Sequence, residues 1–82
     1  MKKKIAILGS TGSIGKTTFN IIKRNKKDFD IILLSTNRNT KILLKQAYLF
    51  NVKNLIITDK KKFLEIKNKL SKEKIKVFNN FD

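Results

Sequence analysis

The sequence predicts an α/β protein with a parallel sheet in the order β-α-β-α-β-α-β, and three observations carry that prediction. Short apolar runs alternate with stretches of helical spacing along the whole chain. The connections between them are short, so elements adjacent in sequence should pack side by side. The first apolar run ends directly in a turn that holds all three glycines of the chain.

Each element follows from its residues. Ile5 to Leu8 is a continuous apolar run, the pattern of a strand buried on both faces. From Ser13 to about Asn25 the spacing becomes helical, with Ile14, Thr18, Ile21 and Ile22 assigned to one face. Asp28 to Ser35 contains Ile31-Ile32-Leu33-Leu34, a second buried strand. Asn39 to Phe50 carries Leu43, Ala47 and Phe50 on one stripe, with Leu44 and Tyr48 beside it. Asn54 to Thr58 is a third strand through Leu55-Ile56-Ile57, and Asp59 can cap a third helix carrying Phe63, Ile66 and Leu70. Ile75 to Phe78 closes the series as a fourth strand. No helix follows it, so residues 1–82 read as the incomplete N-terminal part of a larger domain, with one apolar sheet face awaiting further strands or helices.

Composition narrows the function classes. A chain of 82 residues forms one small domain with a modest core. It has no Cys and no His, which removes disulfides, thiolate metal sites, the commonest general base and the commonest zinc ligand. A reducing, cytoplasmic setting fits. The formal charge of +14 invites a nucleic-acid reading. However, Lys outnumbers Arg 18 to 2, whereas base-reading and phosphate-clamping surfaces favour Arg forks. A drift in residue usage, with Lys filling solvated faces, explains the charge better, and nucleic acid is disfavoured as a partner. The charge still attracts anions, including a phosphorylated substrate or cofactor. The apolar run after Met1-Lys2-Lys3-Lys4 is too short for a signal peptide, and no stretch reaches transmembrane length, so no membrane partner is expected.

The informative stretch is Gly9-Ser10-Thr11-Gly12-Ser13-Ile14-Gly15, where the first strand hands over to the first helix. Such a turn lets backbone N–H groups approach a phosphate, and the helix N-terminus adds a favourable dipole. Gly12 allows close approach of a pyrophosphate, and Gly15 lets the helix pack tightly. Ser10, Thr11 and Ser13 add hydroxyls to that surface. A turn needing glycine only for its own geometry is the competing explanation. Three glycines at intervals of three favour nucleotide binding over it, in a Rossmann-like domain. Gly15-Lys16-Thr17 mimics the end of a P-loop, but that motif needs Gly at position 10, where Ser10 stands. Lys16 is then a solvated helix residue.

The second strand end decides the dinucleotide. NAD-binding units place a carboxylate there, ~20 residues after the glycines, to hold the ribose 2′-OH. Leu34-Ser35-Thr36-Asn37-Arg38-Asn39 has none. Arg38 offers a planar guanidinium suited to a 2′-phosphate, so NADP(H) is expected.

Together, Ile7-Leu8-Gly9-Ser10-Thr11-Gly12-Ser13-Ile14-Gly15 and the Asn37-Arg38-Asn39 turn resemble the start of 1-deoxy-D-xylulose 5-phosphate reductoisomerase. Thr18-Phe19 stands where that family usually has Thr-Leu, and Asn37 stands where it often has Gly, a left-handed position that Asn tolerates. Phe50-Asn51-Val52-Lys53-Asn54 looks like the family's helix-to-strand join. The resemblance implies that Thr11, Gly12, Ser13 and Ile14 contact NADPH from the first turn. It implies that Asn37, Arg38 and Asn39 contact the adenosine 2′-phosphate end.

It further implies an NADPH-dependent oxidoreductase of the non-mevalonate isoprenoid route, acting on a phosphorylated sugar as a homodimeric full-length protein. The product would be 2-C-methyl-D-erythritol 4-phosphate. A divalent metal, Mg²⁺ or Mn²⁺, would be bound outside this segment, along with the catalytic residues, so residues 1–82 alone are expected to be inactive. Two alternatives remain open: another NADP-dependent Rossmann reductase, or a basic RNA-binding module.

Overall fold

The computed structural model describes residues 2–81. Strand β1 (Lys3–Ile7) leads into helix α1 (Ser13–Arg24), then a short 3₁₀ turn (Lys26–Asp28) and strand β2 (Phe29–Thr36). Helix α2 (Thr40–Phe50), strand β3 (Asn54–Ile57), helix α3 (Lys60–Lys69) and strand β4 (Lys76–Phe78) complete the order. All three strand pairings are parallel, and the sheet runs β1-β2-β3-β4. The expected alternation is present, with boundaries within one or two residues.

Each crossover steps one strand along in the same direction, so all three helices lie on one face. A single core forms between them and the sheet, joining Ile7, Phe19, Leu34, Leu43, Leu55 and Ile66. Phe19 of α1 meets Phe50 of α2 edge to face, with ring centroids 5.2 Å apart. The opposite sheet face is bare: Ile32 and Phe78 remain exposed beside Ile56 and Phe81. The sheet is therefore well covered on the helix face, while on the other face Ile56 is buried and Ile32 and Phe78 are not.

The four-residue apolar run of β2 is resolved by an irregularity in register. Ile5 pairs with Ile31, but Ala6 pairs with Leu33, so Ile32 is an extra residue on β2. A bulge of this kind breaks the two-residue alternation. Ile31 and Leu34 consequently both enter the core, while Ile32 points to the bare face.

The helices end as their sequences dictate, with one departure from expectation. Asn51 takes the left-handed conformation (φ 55) that closes α2, as Asn readily does. Asp59 caps α3, its carboxylate accepting from the Lys62 amide at 3.0 Å. In α1 the buried residues are Gly15, Phe19 and Ile22, while Ile14 is 84% and Ile21 55% exposed. The core stripe is thus turned away from Ile14 and Ile21, because the helix is seated on the preceding turn through Gly15.

Candidate functional site

In a parallel sheet the loops at the C-terminal strand ends gather on one edge, and two of them hold every residue singled out above. Gly9 carries the β1 chain through a left-handed position, φ +65, where a side chain would be strained. The chain then folds back on itself, the Gly12 amide donating to the Gly9 carbonyl at 3.0 Å. Helix α1 starts immediately and drives Gly15 against that same turn. A Cβ on Gly15 would lie 2.0 Å from the Gly9 oxygen and 2.7 Å from the Ser10 Cα, so only glycine fits. At Gly12 a Cβ would meet one atom, at an ordinary 3.5 Å. Glycine there leaves the outer surface of the turn open rather than relieving a clash within it.

The three helix starts differ in a way that bears on ligand binding. Asn39 accepts from the Ile42 amide at the head of α2, and Asp59 does the same for Lys62 at the head of α3. The cap position of α1 is Gly12, which has no side chain to offer. The helix ladder begins with Lys16 donating to the Gly12 carbonyl at 2.8 Å. The amides of Ser13, Ile14 and Gly15 lie ahead of it, where no helix carbonyl reaches. No acidic residue occupies that first turn, so the helix dipole is not neutralised from within. An open groove of about 680 Å³ descends from Gly12, Ser13, Ile14 and Gly15 along β1 past Ile7 and Ile5. The site offers backbone donors and positive potential above an apolar trough.

The turn is fixed from beneath by buried polar groups that spacing did not disclose. Ser35, near the end of β2, takes the Gly9 amide on its hydroxyl at 2.8 Å and the Ser10 amide on its carbonyl at 3.0 Å. Gln46 of α2 accepts from the Ser10 hydroxyl at 2.7 Å and donates to the Ser10 carbonyl at 2.9 Å. Among the described residues, no buried side-chain nitrogen or oxygen lacks a partner. Ser10 is fully buried, so its hydroxyl belongs to the scaffold and does not serve a phosphate-binding surface. Thr11 is half-buried, and its hydroxyl lies 2.6 Å from that of Thr36, which ties the first turn to the second. Gly12, Ser13 and Ile14 are exposed on the outer side.

The second turn is built differently. Asn37, Arg38 and Asn39 are all exposed. Asn37 accepts from the Thr58 hydroxyl at 2.8 Å, and its carbonyl accepts from the Asp59 amide at 3.1 Å. Asn39 is occupied as the cap of α2. Neither uses the left-handed backbone expected of an Asn replacing Gly; Asn51 is the one described non-glycine residue with positive φ. Both side chains therefore shape the turn. Arg38 projects outward with its side chain 74% exposed, and its Nε lies 3.4 Å from Asp59. Asp59 thus has two roles, the expected cap and an unexpected partner for Arg38. Lys16 is a solvated helix residue, as its position suggested, and Arg24 is exposed at the end of α1.

Comparison with known proteins fits this geometry. Residues 5–81 match the family model described as 1-deoxy-D-xylulose 5-phosphate reductoisomerase. The chain belongs to that family. The reductoisomerase of Pelagibacter ubique is 58% identical over 80 residues, which cover 98% of this chain and 21% of the relative. That of Porphyromonas gingivalis is 44% identical over 78 residues, covering 95% of this chain and 20% of the relative. Among solved structures, the Zymomonas mobilis reductoisomerase in complex with NADPH superposes with a TM-score of 0.85 at 32% identity. That match covers 95% of this chain and 21% of the solved one. The chain therefore spans about a fifth of the length of these reductoisomerases.

Proposed function

We propose that residues 1–82 form the N-terminal part of the NADPH-binding domain of a longer reductoisomerase polypeptide, with the catalytic and C-terminal portions outside this chain. That polypeptide would convert 1-deoxy-D-xylulose 5-phosphate to 2-C-methyl-D-erythritol 4-phosphate. The observation that carries the reading is the uncapped start of α1, clamped by Gly15 onto the glycine turn, in a member of this family. The Zymomonas mobilis relative, solved with NADPH, supports the choice of cofactor.

The residues fit the group they would hold. The amides of Ser13, Ile14 and Gly15 point a helix dipole at the place a pyrophosphate would take. Thr11 and Gly12 form the outer wall of that turn, and Ile14, exposed at its rim, would pack on the cofactor. Arg38 would take the 2′-phosphate, with Asn37 and Asn39 setting its height above the sheet. When bound, NADPH supplies the hydride for the reductive step. This segment binds and orients it.

The divalent metal that the family resemblance implies has no fit here. Among the described residues no group of three or more His, Cys, Asp or Glu side chains is placed to hold an ion. Metal binding, the phosphorylated sugar and the remaining catalytic residues are assigned to the rest of the polypeptide. A homodimeric assembly and a cytoplasmic setting belong to the same reading. Among the described residues no helix is long and apolar enough to cross a membrane.

Titration with NADPH, NADH and a single-stranded RNA, each at low and high salt, tests the proposal. Saturable binding that prefers NADPH over NADH is expected. RNA binding that falls steeply with salt, without any NADPH preference, would overturn the reading in favour of a basic nucleic-acid module.

A further inference from the structure

We propose that Gln46 is a positioning residue for the cofactor: its side-chain amide clamps Ser10 and thereby sets the turn whose backbone receives the pyrophosphate. The inference rests on the NADPH-binding reading above. Gln46 lies in the middle of α2 and is 5% exposed, far too buried for a Gln without a task. It engages Ser10 twice, accepting from the hydroxyl and donating to the carbonyl. A carbonyl can only accept, so the assignment of the amide nitrogen and oxygen is fixed by chemistry.

Ser10 is where three elements meet. Its amide is held by Ser35 of β2, its carbonyl and hydroxyl by Gln46 of α2, and its Cα lies under Gly15 of α1. Ser10 cannot shift without moving the seat of Gly15, and Gly15 carries the first-turn amides with it. Ser35 precedes Thr36, whose hydroxyl joins Thr11, so the same clamp sets the spacing between the two turns. Binding by backbone amides is strong only if they are aimed beforehand, because the ligand otherwise has to order them. A buried, fully satisfied polar pair specifies one arrangement of the turn, which apolar packing alone does not.

Gln46 touches no part of the outer surface where a cofactor would sit, so its effect must be transmitted through Ser10. Gln46→Leu keeps the bulk and removes both bonds, leaving the Ser10 carbonyl unpaired and its hydroxyl with only a longer contact, 3.4 Å, to the Ser35 carbonyl. Gln46→Glu supplies a conservative rescue. As the neutral acid it can donate to the Ser10 carbonyl and accept from the hydroxyl. As the carboxylate it can only accept, and it faces the carbonyl with a charge.

The test measures thermal midpoint and cofactor affinity separately, on the full polypeptide that carries residues 1–82, at a temperature where every variant is folded. NADP⁺ is the probe, since it tolerates the lower pH needed. Gln46→Leu should weaken NADP⁺ about tenfold in the folded protein, the equivalent of losing one net hydrogen bond. Gln46→Glu should approach wild-type affinity at the acid end of the range and lose it as pH rises, while the wild type shows no matching change. A lower midpoint for Gln46→Leu with unchanged affinity would overturn the proposal and leave Gln46 as packing. So would a Gln46→Glu variant whose affinity ignores pH. Failure of the wild type itself to bind NADP⁺ would instead remove the cofactor reading on which the proposal rests.

Discussion

The two turns at the C-terminal edge of the sheet divide their labour in opposite ways. In the first, side chains are scaffold and the proposed binding surface is backbone. Ser10, Ser35 and Gln46 are buried and Ser10 engages the other two, while the amides of Ser13, Ile14 and Gly15 lie ahead of the first helix hydrogen bond. In the second, much of the backbone and both Asn side chains are scaffold, and one side chain reaches out. The Asn37 carbonyl holds the Asp59 amide, Asn39 caps α2, and Arg38 stands in solvent. A surface made of backbone reads only shape and charge, so it suits the pyrophosphate common to every dinucleotide. A guanidinium on a flexible stem suits the single group that distinguishes NADPH from NADH.

The largest effect expected from this contrast is at Gly15. Gly15→Ala places a Cβ 2.0 Å from a backbone oxygen that has nowhere to go. The substitution would favour the helix by about 1 kcal/mol in open solvent. The clash should exceed that gain and destabilise the fold by about 3 kcal/mol, with NADPH and NADH lost alike. Chemical denaturation followed by circular dichroism reads the stability. A Gly15→Ala protein as stable as the wild type would mean that α1 is not seated on the turn.

Arg38→Ala should do the reverse, sparing the fold and dividing the cofactors. Its loss should weaken NADPH by about 1–3 kcal/mol, the range for a hydrogen bond to a charged group, and leave NADH unchanged. Parallel titrations measure this, and equal losses for both would remove the 2′-phosphate role. Ser35→Ala comes next in size. The Gly9 amide would lose its acceptor at a partly buried site, costing about 1 kcal/mol of stability. Because Ser35 acts beneath the first turn, the NADPH-to-NADH ratio should not move. A changed ratio would show that the two turns are coupled more tightly than their division of labour suggests.

How much of this was legible from sequence follows the same division. The group proposed to act at the second turn could be singled out because it is a side chain, one of two Arg in a Lys-rich chain, at the end of an apolar run. The strands were readable because apolar runs between turns mark them. The core face of α1 was not. It is seated on the turn through Gly15, which carries no hydrophobic signal, so periodicity placed the exposed Ile14 and Ile21 beside Ile22 on the core face. The supports of the first turn were equally hidden. Gln46 lies 36 positions from Ser10, and no local pattern reports a contact made by folding two crossovers together. Nor did the run Ile31-Ile32-Leu33-Leu34 announce its bulge, because four apolar residues look alike whichever face each one takes.

The smallest effect is at Asp59, and it tests whether the exposed turn is as simple as a lone cation. Asp59 sits between two demands, one carboxylate oxygen capping α3 and the other 3.4 Å from Arg38. Asp59→Asn keeps a side-chain oxygen for the cap, at which Asn serves as well as Asp. It removes the charge that favours the start of α3, costing about 0.5 kcal/mol. The ion pair itself is exposed and contributes about 0–1 kcal/mol, so its loss barely alters stability. Its effect on the ligand should be opposite in sign. A 2′-phosphate arriving at Arg38 meets the Asp59 carboxylate, and removing that charge should tighten NADPH by about threefold at low ionic strength, with little change for NADH. The gain should fade as salt approaches physiological levels, where the screening length falls to about 8 Å. Weaker NADPH binding by Asp59→Asn would reverse the assignment. Asp59 would then be holding Arg38 in place for the phosphate, and the second turn would share the first turn's reliance on a supporting side chain.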